Sequence, residues 1–563
     1  MRSLLWSLFL AMLLTGVAVI SRPLLPVDET RYLTVAWEAH QDGDYLVSHL
    51  NGETYAHKPP LLFWMINAVW SLTGVYALPA RLIAPTAGLC CLLLTMMIAK
   101  RLWPDSGSTI RFSPLILVSS MLWMIFSPLT MFDTLLTCST LAALLGVLRA
   151  ANGSPVSGWL LAGTAAGIGI LSKGPVIFVH VLPVALAAPV WMSPGKGKWV
   201  RWYAGFVAAV MLAAIIGLSW ALPAAAAGGD AYASELLYGQ TAGRMVQSFA
   251  HDQMFWWYLP WLPVCVMPWI LFGPVWRGFR QTRLDPGLRF VLIWAAGSLI
   301  ILSLVSGKQI HYLMPAIPAI SLALSRILAS SVGDWSRRDI LPLVVGTAIL
   351  GLMPVVFNHV RFFGTLGLAG IVADRYSFLL VACGLILLFV PVRNRELVVS
   401  TIATSATLFC CVVVGSLWGS LWHGFDLKPL AEFAADCERP LAWYSDYQGQ
   451  IGYLGSVRRV EEVRTEEDLR SWIDKKPNGA VVIRLSTSRN QWAEILPLLR
   501  SIDRSSPDSL QQETLTRFFS SHPAFPLAKE QPVVLYVQWI QRGLTRSPYL
   551  IVSYHGSHSK TAL

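Results

Sequence analysis

Apolar residues in this chain do not alternate with polar ones. They come in long runs, and residues 3–20, 112–130, 203–222 and 398–418 each approach the roughly 20 residues that a bilayer-crossing helix needs. The alternation of a transmembrane barrel is missing, so the pattern predicts an α-helical polytopic membrane protein. With the shorter runs included, the spans fall at 3–20, 80–99, 112–130, 134–150, 157–171, 175–192, 203–222, 258–276, 289–306, 312–329, 340–358, 376–392 and 398–418, about thirteen in all. One further run, 60–74, reads as a helix lying in the outer interface, with Phe63, Trp64 and Trp70 at headgroup level. The first run follows Arg2 and ends in Ser21-Arg22-Pro23, which lacks a small-residue cleavage site; it reads as a signal anchor.

Past residue 420 the pattern changes. Charges become frequent and long apolar runs stop. Short strands are predicted at Leu441–Tyr444, 457–460, 480–485 and 533–537, and amphipathic helices at Glu466–Lys475 and 491–501. Alternating strands and helices predict a small α/β domain. The expected organisation is a membrane domain over 1–419, with outer loops 21–79 and 223–257, and a soluble domain over 420–563. No internal repeat and no G-x-x-x-x-G-K-[ST] loop is present, which argues against an ATP-driven pump.

Composition agrees. The chain is 55% hydrophobic and only 13% charged, which excludes a soluble enzyme and a disordered protein. Its net charge of +11 would suggest nucleic acid in a soluble protein; here the cations sit in loops between spans, and no nucleic-acid partner is expected. With a cytoplasmic N-terminus, the clusters Lys100-Arg101 with Arg111, Lys196/Lys198/Arg201, Arg277/Arg280/Arg283/Arg289, Arg337-Arg338 and Arg393/Arg395 all fall inside, and the C-terminus lies outside. Seven of the eight Cys lie in apolar runs, so neither a disulfide framework nor a structural zinc cluster is expected.

The outer side is poor in cations, and those present stand singly beside unusual chemistry. Charged groups near membrane depth are costly and mark sites. The first loop reads Pro26-Val27-Asp28-Glu29-Thr30-Arg31-Tyr32. Its acids are either helix-start residues, with Asp28 as cap, or carboxylates for a hydroxyl, an amine or a metal. In His57-Lys58-Pro59-Pro60 two prolines fix an extended corner that presents Lys58, either to lipid phosphate or to the phosphate of a substrate. Asp133 stands alone between two apolar runs, as a cap or a site acid. Ser172-Lys173-Gly174-Pro175 displays another ammonium on a tight turn. The longest outer loop carries Arg244 and then His251-Asp252 before the aromatics Phe255-Trp256-Trp257-Tyr258. Lys308, His311 and Tyr312 lie in the link between spans nine and ten. No one of these signals is specific; their order and common face are informative.

In that order the segments resemble the bacterial GT-C glycosyltransferases related to protein O-mannosyltransferases, and in particular the lipid A aminoarabinose transferases. The resemblance rests on Asp28-Glu29-Thr30-Arg31-Tyr32, Lys58-Pro59-Pro60, Asp133, Ser172-Lys173-Gly174-Pro175, the His251 loop running into aromatics, and 308–315. It implies transfer of a sugar, 4-amino-4-deoxy-L-arabinose, from undecaprenyl phosphate to a lipid A phosphate at the periplasmic face of the inner membrane. Such a modification gives resistance to polymyxin and other cationic peptides. It further implies that Asp28 and Asp133 are the essential cavity acids. Lys58, Arg244 and Tyr312 would hold the donor phosphate, and Glu29, Arg31, Lys173 and Lys308 would line the substrate site. One departure is His57, where the family commonly has Glu. The resemblance makes His57 and His251 a candidate zinc pair, of only two ligands. The same fold acting on another sugar or acceptor is the alternative. A transporter or flippase would place acids or broken helices in mid-span, and the charges here gather at one rim.

Overall fold

Backbone amides inside hydrocarbon must find partners within their own segment, so the apolar runs fold as helices. The computed structural model describes residues 1–192, 198–243, 253–360, 371–418, 421–485, 494–522, 525–542 and 545–554. Their contacts divide them into two compact units. The first comprises Met1–Ser21, Asp44–Ser48 and Tyr55–Ser416; the second comprises Arg22–Gly43, His49–Thr54 and Leu417–Leu563.

In the first unit, nine helices among the described residues are long and apolar enough to cross a membrane. They include α1 (Arg2–Ser21), α4 (Ala77–Leu102) and α7 (Phe132–Ala151), and α8 (Pro155–Lys173) begins another. The helix read at 60–74 is α3, Leu61–Thr73. The count differs from thirteen for local reasons. The runs 157–171 and 175–192 join into one apolar stretch, Pro155–Leu186, bent where Gly174 has φ +78°. The run 112–130 is divided into α5 (Gly107–Val118) and α6 (Met121–Phe126). At the break, the Ser119 and Ser120 hydroxyls donate back to the carbonyls of Leu115 and Ile116, at 2.7 Å each. The run 258–276 holds Pro260, Pro263, Pro268 and Pro274, which lack amide donors, and it folds as short turns and helices ending in Gly273–Gln281. The run 376–392 forms a shorter helix, Arg375–Phe389.

Helices α7 and α8 pack closely because both carry small residues at their contact. A Cβ at Gly146 would lie 2.5 Å from the Ala162 amide and 2.7 Å from the Gly158 carbonyl. Small residues of this kind let helix backbones approach in a membrane, where apolar side chains gain little by meeting each other.

The second unit is an α/β domain around a five-stranded sheet of order β4-β3-β5-β7-β6. Its strands are β3 (Leu441–Tyr444), β4 (Glu461–Val463), β5 (Ala480–Arg484), β6 (Pro532–Arg542) and β7 (Thr545–Tyr554). Strand β3 runs parallel to β4 and β5, whereas β7 is antiparallel to β5 and β6. Val481, Ile483, Leu550 and Val552 of the sheet are buried with Leu515 and Phe519 of a helix over Ser509–Ser521. The strand expected at 457–460 lies at β4, just beyond it. Strand β7 and the Ser509–Ser521 helix are additions to the expected elements. Residues 491–493 of the helix read at 491–501 lie outside the described residues; its later part is Leu496–Ser501.

The same unit includes α2 (Asp28–Asp42) and the small hairpin of β1 (His49–Leu50) and β2 (Glu53–Thr54). The Asn51 side chain exchanges two 2.8 Å hydrogen bonds with the Val460 backbone. The Glu38 carboxylate accepts from the amides of Asn51 and Gly52, at 2.7 and 3.0 Å. Burial pushes the Glu38 carboxyl above its ordinary value, and those amides partly offset it.

Candidate functional site

Helix α7 starts at Phe132, after an extended Met131, and Asp133 falls in its first turn without capping it. The carboxylate instead points to the last residue of α8. Lys173 Nζ lies 2.6 Å from Asp133 Oδ1, with side chains only 13% and 4% exposed. His311 Nε2 lies 4.0 Å from the other oxygen, Oδ2. Lys173 Nζ also sits 4.6 Å from the centre of the Tyr312 ring, a cation–π distance. His311 and Tyr312 come from a tight helical turn over Ile310–Ala316, and their rings meet edge to face at 4.8 Å.

The Lys58 corner joins this group through aromatics. Lys58 Nζ is 5.9 Å from the Phe132 ring centre, and Phe63 of α3 meets Phe132 edge-on at 5.5 Å. The Lys58 charge also acts on the Asp133 carboxylate. Four expected residues, Lys58, Asp133, Lys173 and Tyr312, therefore belong to one cluster, with His311 added to it. Two ammonium groups against one carboxylate suit an anion.

His180 was not legible as a site residue, because it lies within an apolar run. It is buried, with Nδ1 2.8 Å from the Ser298 hydroxyl, and it is in electrostatic reach of Lys173 and Asp133.

Two expected substrate residues are occupied by the chain itself. Lys308 is buried, and its ammonium donates to the carbonyls of Val305 and Gln253 at 2.6 and 2.8 Å. It ties the loop rather than presenting a free charge. Glu29, in the second unit, is buried in a two-pronged ion pair with Arg22 and accepts from the Leu25 amide at 3.0 Å. Burying either charge alone would be costly, so the pairing accounts for both residues.

Asp28 differs from Glu29. It is the first residue of α2, where Val27 is the cap position and no side chain caps. The capping role considered from the sequence is therefore not the one observed. Asp28 Oδ1 accepts from Arg31 Nη2 at 2.6 Å and from the Tyr32 hydroxyl at 3.1 Å. The Asp28 side chain stays 46% exposed, so a carboxylate held on one side remains open on the other.

Arg244 and His251 lie outside the described residues. His57 is exposed and stands beside the Tyr55 ring, 5.1 Å between centres. Among the described residues no three His, Cys, Asp or Glu side chains gather to hold a metal ion. His251, the other member of the candidate zinc pair, lies outside the described residues, and no chemical step here is routed through a metal.

The chain is similar to known proteins both in sequence and in fold. Residues 57–220 match a family described as dolichyl-phosphate-mannose-protein mannosyltransferase. The chain is 28% identical, over 54% of its length and 55% of the relative's, to undecaprenyl phosphate-alpha-4-amino-4-deoxy-L-arabinose arabinosyl transferase 2 of Pseudomonas fluorescens. It is 26% identical to the arabinosyl transferase of Serratia proteamaculans, over 62% of this chain and 64% of that one. The matches thus span less than two thirds of these curated relatives. The crystal structure of ArnT from Cupriavidus metallidurans bound to undecaprenyl phosphate superposes with a TM-score of 0.68 at 18% identity, covering 99% of this chain and 98% of that one. The resemblance seen in the residues is borne out, and the polytopic helical membrane fold with a C-terminal sheet domain is shared with that structure.

Proposed function

We propose that this chain is an integral membrane glycosyltransferase. It moves a sugar, 4-amino-4-deoxy-L-arabinose, from undecaprenyl phosphate to a lipid A phosphate at the periplasmic face of the inner membrane. The observation that carries the proposal is the buried Asp133–Lys173 pair with Lys58 and Tyr312 around it, in a fold shared with a structure bound to undecaprenyl phosphate.

The chemistry needs few groups. The bond between the sugar's anomeric carbon and the prenyl phosphate oxygen breaks, and an acceptor oxygen bonds to that carbon. Negative charge grows on the departing phosphate. Lys58 and Tyr312, with Arg244, are assigned to it, because fixed cations and donors in a water-poor site stabilise developing charge strongly. Lys173 holds Asp133 in one orientation. A phosphate acceptor is already an anionic nucleophile and needs no general base. Asp28, held by Arg31 and Tyr32 but open on its other side, is assigned to the sugar. Transfer in place of hydrolysis requires that water be kept out.

The test is turnover by purified protein in detergent, with undecaprenyl-phosphate sugars as donors, lipid A as acceptor and mass spectrometry of the product. Transfer of aminoarabinose that falls sharply in Asp28→Asn, at unchanged folded yield, is the expected result. The Asn side-chain oxygen can still accept from Arg31 and Tyr32, so the substitution removes charge with little change in structure. Near-normal turnover by Asp28→Asn would remove Asp28 from the reaction. Transfer of a different sugar alone would replace the substrate and keep the enzyme class.

A further inference from the structure

The helix that carries Asp28 is gripped by the soluble domain's own chain, through a loop over 447–453. Thr34, 1% exposed, lies at the centre of that grip. Its hydroxyl donates to the Gly449 carbonyl and accepts from the Tyr453 amide, both at 3.0 Å. A turn earlier, Arg31 holds Asp28 through Nη2 at 2.6 Å and reaches the Gln448 side-chain oxygen through Nη1 at 3.4 Å.

Two glycines make the approach close enough. Gly449 has φ +74°, a conformation that side chains disfavour. A Cβ there would stand 3.2 Å from Arg31 Cα and 3.3 Å from Thr34 Cβ. At Gly452 it would stand 3.1 Å from the Thr34 hydroxyl and 3.3 Å from the Tyr447 hydroxyl. The loop therefore rests on the helix backbone at Arg31 and Thr34. A tether serving stability alone would not need to meet the residue that orients an open carboxylate.

We propose that the 447–453 loop of the soluble domain is a positioning element for the first-loop acid: Thr34, Gln448 and Gly449 set the orientation of α2, and Arg31 passes it to the Asp28 carboxylate. This rests on the assignment of Asp28 to the sugar. It gives the C-terminal domain a part in the chemical step without contact between that loop and substrate.

The experiment measures kcat and donor KM for full-length Thr34→Val, Thr34→Ser, Gln448→Ala and Asp28→Asn in detergent. Valine matches threonine in shape but has no hydroxyl; serine keeps the hydroxyl. Thr34→Val is expected to lower kcat about tenfold with donor KM within about twofold, the signature of a lost transition-state arrangement. Thr34→Ser should retain most of kcat, and Gln448→Ala should show a smaller kcat loss with the same unchanged KM. Equal kcat for Thr34→Val and wild type, with activity lost in Asp28→Asn, overturns the positioning role and leaves the assignment of Asp28 standing. Full activity in Asp28→Asn overturns both. Where Thr34→Val does not fold, the exposed Gln448→Ala decides, and wild-type kcat there overturns the proposal.

Discussion

Charges in this protein are informative according to what neutralises them. Glu29 and Lys308 looked from the sequence like site residues, yet both are closed by structural partners. The Asp133–Lys173 pair is equally buried but lies in a cluster with an excess of cations. Removing one member of a buried pair strands the other, at a cost of about 3–5 kcal/mol. Lys173→Met should therefore lower both turnover and thermal stability. The double variant Lys173→Met/Asp133→Leu should recover much of the melting temperature while turnover stays lost. Recovery of turnover in that double variant would reduce the pair to a structural one. Lys58 is predicted to behave differently, because it stands on the Lys58-Pro59-Pro60 corner beside the Phe132 ring. Charge-assisted hydrogen bonds contribute roughly 1.5–3 kcal/mol each. Lys58→Ala should thus weaken binding of sugar-free undecaprenyl phosphate about tenfold to a hundredfold at normal folded yield. Wild-type affinity in that measurement would make Lys58 an anchor for bulk lipid.

At the scale of elements, the site depends on two helices arriving at one height. Asp133 opens α7 and Lys173 closes α8, and the glycine contact at Gly146 and Gly158 sets how near the helices run. Gly146→Leu places a side chain where the Ala162 backbone already stands. It is expected to part the helices and lower transfer strongly, and Gly146→Ala, whose Cβ alone would stand 2.5 Å from the Ala162 amide, should lower it as well; wild-type activity in both variants would show that the helix spacing does not matter. Much of this level was legible. Most of the long apolar runs fold as the helices expected of them, and the α/β alternation past residue 420 is visible in the charges. The misses have physical causes. Proline count and serine pairs decide whether an apolar run stays one helix, as at 258–276 and 112–130, and hydropathy does not register them. That α2 packs with a loop and short helix more than 400 residues later rests on Thr34 meeting Gly449 and Tyr453, long-range contacts that leave no local periodicity. His180 went unread for a related reason: a single histidine in an apolar helix has no neighbours in sequence to betray its burial beside Ser298.

Across the whole molecule, orientation follows from where the cations are. Arg277 and Arg280 lie in the Gly273–Gln281 helix with Arg283 just beyond it, Arg337 and Arg338 open the Arg337–His359 helix, and Arg393 and Arg395 stand at the start of Arg395–Ser416. Lysine and arginine clustered at or near the ends of membrane helices are retained on the cytoplasmic side during insertion. Asp133 and Lys173, at the ends of α7 and α8, neutralise one another. A reaction that uses a polyprenyl-phosphate donor for a periplasmic acceptor needs Lys58, Asp133 and Lys173 on the side opposite the arginines. Single cysteines placed at 283, 337 and 394 in a variant lacking native cysteines are therefore expected to resist a membrane-impermeant maleimide added to intact spheroplasts. Cysteines at 240 and 478, the latter an exposed position just before the buried strand β5, should react readily. After permeabilisation all five should label, which separates protection by the membrane from burial in the fold. Labelling at 283 together with silence at 240 would invert the map. The Asp133 cluster would then face the cytoplasm, where neither a flipped donor nor a periplasmic lipid phosphate could reach it, and the proposed reaction would have to be abandoned along with the orientation.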